Sequence, residues 1–214
     1  MHAAFLATIL TILPTVELPD RLTKPACVAC AAPAADGAPD LSRLRAGDIV
    51  LTEEKGVDAG GTPRHVAEVT VLLPYRPTQI WSVLVDFAGR PAWQPSAKEA
   101  TVVRFDGDRV WVDEWVRFFL LDVHYRLDLT LDTEAGMIRF AMDEESPHDI
   151  GGASGHWQLR HLDDGRATLV AYRAWIDFGH GLPRFLQTWL VRQSLPRLLD
   201  NLREESDRRF GAKR

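Results

Sequence analysis

Few side chains in this chain are spaced for chemistry. Cys27 and Cys30 form a C-x-x-C, the spacing of a redox dithiol or of half a zinc site. A redox pair sits at a helix N-terminus, which lowers the thiol pKa, but here the flanks are Pro25, Pro33, Pro39 and many alanines. Zinc needs two more ligands, and none is nearby in sequence. The pair reads as incidental cysteines in a leader. His65, His124, His148, His156 and His161 have no metal-ligand spacing. There is no Gly-x-Ser-x-Gly elbow, and Ser154 has no helix behind it. The glycines around it precede a strand and lack the Lys of a phosphate loop. Ser146-Pro147-His148-Asp149 reads as a turn at a cavity rim. Neither a metal nor a cofactor is expected. Glu114, Tyr125 and Tyr172 remain, and what they can do depends on which face of a sheet carries them.

The elements around them follow from periodicity. Residues 64–73 alternate as a strand through Val66, Ala67, Val69, Val71 and Leu73, and Pro74 ends it. Pro77 suits the first turn of a short helix carrying Ile80, Trp81, Leu84 and Val85 at helical spacing. Residues 100–105, 109–119, 121–132, 137–143, 156–161 and 167–178 are then strand-like with no helix among them. Asp106-Gly107 and Asp164-Gly165 mark tight hairpins, whose turns need positive φ. Residues 182–210 form a long amphipathic helix. Leu186, Leu190, Leu198 and Leu202 make its apolar stripe, flanked by Phe185, Trp189, Leu195 and Leu199, and Pro196 bends it. The expected fold is α+β: a curved antiparallel seven-stranded sheet gripping the C-terminal helix.

Hairpin arithmetic then assigns the faces. Closing the hairpin through a Phe119–Asp122 pair sets Val116 against Tyr125 and Glu114 against Leu127. The next turn sets Leu131 against Ile138, Leu129 against Phe140 and Leu127 against Met142. The Asp164-Gly165 turn sets Trp157 against Tyr172 and Leu159 against Val170. These strands agree on one apolar concave face with three polar exceptions: Glu114, Tyr125 and Tyr172. A carboxylate there pairs, protonates or touches ligand. The expected ligand-binding set is Glu114, Val116, Tyr125, Leu127, Phe140, Met142, Trp157 and Tyr172, closed over by Leu186, Trp189 and Leu190 from the helix. Trp111, Trp115 and Phe119 fall on the convex face. An Arg126–Trp115 cation–π contact is the plain reading there, and a membrane or partner patch the sharper one.

The chain resembles the START-like, helix-grip superfamily, which also contains polyketide cyclases and coenzyme Q-binding proteins. The residues that carry the likeness are the first strand with Pro74 to Asp86, then Trp93-Gln94-Pro95, then Gly181 to Leu186. It covers about residues 64–210. It implies the fold, and it implies a lipid carrier, a quinone binder or a cyclase.

Composition narrows this further. A net charge of -5, with no basic block, excludes nucleic acid as the expected partner. Residues 3–16 are mostly apolar and too short to span a bilayer comfortably, which fits the apolar region of an export signal, although no Lys or Arg precedes them. Residues 1–48 are expected to be this signal-like segment and a disordered Ala/Pro-rich linker that the fold does not need. Residues 49–214 are the ligand-binding domain. The expected location is periplasmic or membrane-associated, with cytoplasmic as the alternative. The expected function is binding or transport of a hydrophobic small molecule (a lipid, isoprenoid quinone or polycyclic compound) without covalent chemistry. A polyketide cyclase, aromatase or dehydratase using the same cavity is the alternative, and peripheral membrane contact is a further expectation. Oligomeric state is left open.

Overall fold

A computed structural model describes residues 16–29, 41–57, 63–118, 121–179 and 184–211. The export-like run at residues 3–16 lies almost entirely outside the described residues. In chain order the elements are α1 (Asp20–Thr23), α2 (Leu41–Arg45), β1 (Val50–Val57), β2 (Pro63–Leu73), α3 (Pro77–Leu84), α4 (Arg90–Trp93), β3 (Ala97–Asp106), β4 (Arg109–Phe118), β5 (Leu121–Asp132), β6 (Met137–Met142), β7 (Gly152–Leu162), β8 (Ala167–Asp177) and α5 (Arg184–Phe210). The strands form one antiparallel sheet in the order β1-β2-β8-β7-β6-β5-β4-β3, and α5 packs against β1, β2, α3 and α4. The sheet has eight strands rather than the expected seven. The addition is β1, an edge strand whose weak alternation hid it: only its β2 side is paired.

Register matches the hairpin arithmetic at two turns and differs at one. Leu129 faces Phe140, Leu127 faces Met142 and Trp157 faces Tyr172, as expected. Between β4 and β5, Phe118 pairs with Leu121, so Glu114 faces Tyr125 and Val116 faces Val123. The offset from expectation is two residues. A two-residue slip returns every side chain to the same face, so the assignment of inside and outside survives the error.

The inner face and the helices form the core. Val69, Val71, Val110, Val112, Leu159 and Val170 from the sheet are fully buried, as are Ile80, Trp81, Leu199 and Leu202 from α3 and α5. A smaller apolar cluster of Val116, Val123, Met142, Ile150, Ala153 and Phe178 sits at the other end of the sheet. Gly155 lets these layers close: a Cβ there would lie 2.1 Å from Arg173 O and 2.7 Å from the Phe140 ring.

Helix α5 turns most of the expected stripe and its flank inward, and the departure is Trp189. Leu195, Leu199, Leu202 and Ser206 are buried, whereas Trp189 is 48% exposed. Counting back one turn from Leu195 reaches Val191, which packs on the core. Trp189 stands two residues, or about 200°, from that line. Polar bonds fix the helix along its length. Arg192 Nη2 donates to Glu53 Oε2 at 2.6 Å, Arg203 Nη2 to Gly47 O at 2.9 Å, and Arg209 Nη2 to Asp86 Oδ2 at 2.7 Å. No helix among the described residues is long and apolar enough to cross a membrane.

The segment before the domain is part of its core. Leu22, Val28, Ala29 and Leu44 are 4%, 5%, 0% and 1% exposed. Trp81 Nε1 donates to Leu22 O at 2.6 Å, and Ala29 N to Thr133 O at 3.0 Å. Gly136 makes this docking feasible, since a Cβ there would sit 2.6 Å from Ala29 Cβ. Ala29 itself has φ 58°, the left-handed region that an L-residue enters at roughly 1–2 kcal/mol. Described residues of this stretch therefore pack on the domain, although they were expected to lie apart from it. Isolated apolar side chains make these contacts, and they have no period to read. The reading of incidental cysteines is corrected too, because Cys27 is disulfide-bonded.

Candidate functional site on the inner face

Three polar side chains meet where the two apolar clusters join. Glu114 projects from β4 into the core and is 6% exposed. Arg90, on the one-turn helix α4, donates from Nη1 to Glu114 Oε1 and forms an ion pair with it. The same guanidinium reaches Leu84 O at 3.4 Å through Nη2 and lies 4.8 Å from the centroid of the Phe87 ring. Tyr125 O–H donates to Glu114 Oε2 at 3.2 Å. Tyr125 packs against both apolar clusters, so the polar set stands at their seam.

Local sequence explains the placement. Gly89 N donates to Asp86 Oδ1 at 3.0 Å, ending the chain's exit from α3, and Pro91 holds the next turn as α4. That turn carries Arg90 toward the sheet and buries Trp93 at 5% exposure. Trp93 Nε1 is the one buried side-chain nitrogen or oxygen without a hydrogen-bond partner among the described residues. Arg90 is the residue sequence reasoning missed. Pairing was one of the expected fates of Glu114, and nothing local to Gly89-Arg90 marks that arginine as inward-pointing.

The electrostatics give the set a definite state. Burial, then the negative charge of Glu114, pushes the Tyr125 phenol well above its ordinary value. Burial, then Glu114, also raises Tyr172. Both rings are therefore neutral hydrogen-bonding groups, and neither supplies a phenolate. Tyr172 is held by aromatic packing, 4.3 Å centroid to centroid from Trp157 and 5.8 Å from Phe140 with the latter rings stacked.

The structure brings most of the expected set together. Glu114, Val116, Tyr125, Leu127, Phe140, Met142, Trp157 and Tyr172 share the inner face, and Leu190 of α5 is 8% exposed. Trp189 does not join them. Leu186 falls where side chains are not among those described. A cavity of about 280 Å³ borders Glu114 and Tyr125 but is otherwise lined mostly from the outer face, by Glu99, Asp113, Trp115, His124 and Arg126, with Ser146 and Pro147 beside them and no residue of α5.

The outer face also departs from expectation. Arg126 pairs with Asp113, and Trp115 faces His124 with centroids 4.9 Å apart. The cation–π contacts fall instead on Trp111, where Arg104 and Arg109 lie 3.8 and 4.6 Å from the ring centroid. A register shift between Val102 and Arg104 in β3 brings Arg104 opposite Trp111. Trp111 is thereby 7% exposed, so it and Trp115 do not form a continuous exposed patch. Phe119 lies outside the described residues. Among the described residues no group of three or more His, Cys, Asp or Glu could hold a metal ion.

A curved sheet closed by one long helix, with a small polar set in an apolar interior, defines a START-like helix-grip protein. Residues 64–207 match the family described as polyketide cyclase / dehydrase and lipid transport, and the chain belongs to it. No curated protein matches the chain. Solved structures share the fold. The Zhui aromatase/cyclase from Streptomyces sp. R1128 is 18% identical with a TM-score of 0.60, covering 77% of this chain and 98% of that one. A STAR-related lipid transfer protein fragment from Xanthomonas axonopodis is 16% identical with a TM-score of 0.59, covering 72% and 98%. Human StAR-related lipid transfer protein 5 is 11% identical with a TM-score of 0.59, covering 76% and 83%.

Proposed function

We propose that this protein binds a hydrophobic small molecule between the sheet and α5 without changing it covalently. The ligand class is a lipid, an isoprenoid quinone or a polycyclic compound, in keeping with the apolar inner face. The observation that carries this reading is the mutual satisfaction of Arg90, Glu114 and Tyr125. A general base must be aimed at a substrate proton and hold a pKa near the working pH. Here both Glu114 oxygens are engaged, and both inner tyrosines are held neutral. The set orients a ligand; it does not move protons. Apolar burial supplies the affinity, at roughly 25 cal/mol per Å². The alternative, a polyketide cyclase or dehydratase, draws on the family and on the Tyr125–Glu114 hydrogen bond as a proton path.

Native mass spectrometry of the purified chain, with extraction of any co-purified molecule, tests the binding reading. It is sharpened by Glu114→Gln, which keeps the shape. A binder retains its ligand with a modest affinity loss. A cyclase loses turnover by roughly 10²–10⁴ while still binding, and that result would replace the carrier with an enzyme.

The export expectation is retained as part of the proposal. The disulfide at Cys27 supports it, because disulfides persist in oxidising compartments and are rare in the cytosol. N-terminal sequencing of protein from fractionated host cells checks it: a cytosolic chain retaining Met1 rules it out. Peripheral membrane contact rests on the exposed side chains Trp115, Leu121 and Trp189. Sedimentation with neutral lipid vesicles tests it, and failure to co-sediment removes it.

A further inference from the structure

The cavity of about 280 Å³ is lined mostly from the outer face of the sheet, and the function proposed above makes no use of it. Asp113 to Trp115 on β4 and His124 to Arg126 on β5 are consecutive runs in its lining, so the strand pair forms its floor. Two cross-strand rows stand there: Glu99, Trp115 and His124, then Thr101, Asp113 and Arg126. The turn at Ser146 and Pro147 supplies a wall. Its ends are pinned to β5, where Asp143 N donates to Arg126 O at 2.8 Å and Asp149 N to His124 O at 2.9 Å. Ser146 Oγ donates to Asp143 Oδ2 at 2.7 Å, so the wall is preformed.

Charge along these rows is uneven. Arg126 donates from Nε and Nη2 to Asp113 at 2.6 and 3.0 Å, and His124 Nδ1 lies 3.4 Å from Asp149 Oδ2. The Glu99 carboxylate accepts from Thr101 Oγ1 at 3.1 Å and has no ion-pair partner among the described residues. It stands across from Trp115, which is 37% exposed. Trp111, on the same face of β4, shows what such a ring attracts: Arg104 and Arg109 lie over it. Among the described residues no cation of the chain lies over Trp115.

We propose that this cavity is a binding site for an organic cation, a methylated ammonium group seated on the Trp115 ring with Glu99 as its counter-ion. The face of an aromatic ring attracts a cation, and that of Trp does so most strongly. Methyl groups suit the remaining walls, Pro147 and the ring itself, because they ask for no hydrogen bonds, whereas a primary ammonium brings three donors. The unpaired charge is negative, and Arg126 and His124 are both engaged, so an anion finds no free partner. The site is independent of what the interior holds and stands whether the protein is a carrier or a cyclase.

The test is a titration of the full chain with choline, read from the indole N–H signals of its seven tryptophans in NMR spectra. The control titrant is dimethylbutanol, the same shape with carbon in place of the charged nitrogen. The expected result is a saturable shift of the Trp115 signal, identified by its loss in Trp115→Leu, with the uncharged isostere binding at least about tenfold more weakly. Glu99→Gln should weaken choline by a similar factor and leave the melting midpoint unchanged. Phosphatidylcholine vesicles that displace choline make a lipid headgroup the source of the cation; vesicles that do not displace it leave a free solute, and either upholds the site. Equal shifts with choline and dimethylbutanol overturn it, because the cavity then reads apolar shape alone. A choline shift confined to other tryptophans, or none at all, overturns it as well.

Discussion

Asp113 and Glu114 are neighbours in sequence, and each pairs with an arginine. They point to opposite faces of β4. Asp113 meets Arg126 outside, where the side chains are 48% and 31% exposed; Glu114 meets Arg90 inside, where the values are 6% and 13%. Water screens the outer pair, and its side chains lose entropy in making it, so its net contribution is small. The inner pair gives up hydration, and each charge there depends on the other. The same chemistry one residue apart is decoration on one face and a constraint on the other.

Removing one inner partner therefore has the largest effect. Arg90→Met leaves Glu114 buried and uncompensated and is expected to cost about 3–5 kcal/mol. Denaturant unfolding measures it. Adding Glu114→Leu to that variant should recover most of the loss, because apolar replacement of a whole buried pair is often neutral or better. If the double variant is no more stable than Arg90→Met alone, the pair is not the source of the cost.

An alkaline titration is next. The chain has three tyrosines, and all three are held above their ordinary value: Tyr125 and Tyr172 by burial, and Tyr75 by burial and then by its hydrogen bond to Asp207, to about 12. Above roughly pH 10 the unfolded chain loses phenolic protons that the folded chain keeps. The unfolded state then binds fewer protons, so stability falls as pH rises; it is fully present below that point. Tyrosinate absorbance should appear together with unfolding. A smooth tyrosinate titration near pH 10 in folded protein would show that solvent reaches the inner rings.

The outer face should respond weakly. Asp113→Asn is expected to cost under about 1 kcal/mol. A cost equal to that of Arg90→Met would erase the distinction between the faces. The smallest effect expected is that of Trp189→Ala. This exposed residue should change stability by no more than about 0.5 kcal/mol. A loss of several kcal/mol would put Trp189 back on the gripping stripe.

Alternation made the inner face readable. Leu127, Leu129 and Leu131 on one strand had to face Met142, Phe140 and Ile138 on the next, and they do. Glu114 was visible as the one carboxylate in that pattern. Its partner was not, because Arg90 reaches it from a single helical turn, too short to have a period. The turn between β4 and β5 was set two residues off because Phe118, Phe119, Leu120 and Leu121 are all apolar and mark no loop position. Trp189 misled for a similar reason. Leucine is so frequent along α5 that several stripes fit, and which one is buried is settled by Leu195, Leu199 and Leu202 against the sheet. The stretch at residues 16–29 escaped because burial of Leu22 and Ala29 rests on single docking contacts across long sequence separations.

The strand order has a consequence for how the protein is made. β2 pairs with β8, so Val69 waits for Tyr172, which leaves the ribosome roughly a hundred residues later. Until then the nascent chain has a β1–β2 ribbon on one side and a growing β3-to-β7 meander on the other, both with bare inner faces. Only the last strand joins them, and only α5, later still, covers the joined surface. A chain that cannot seal early keeps its inner face uncovered until α5 emerges, so any greasy molecule it holds must arrive after its synthesis is finished.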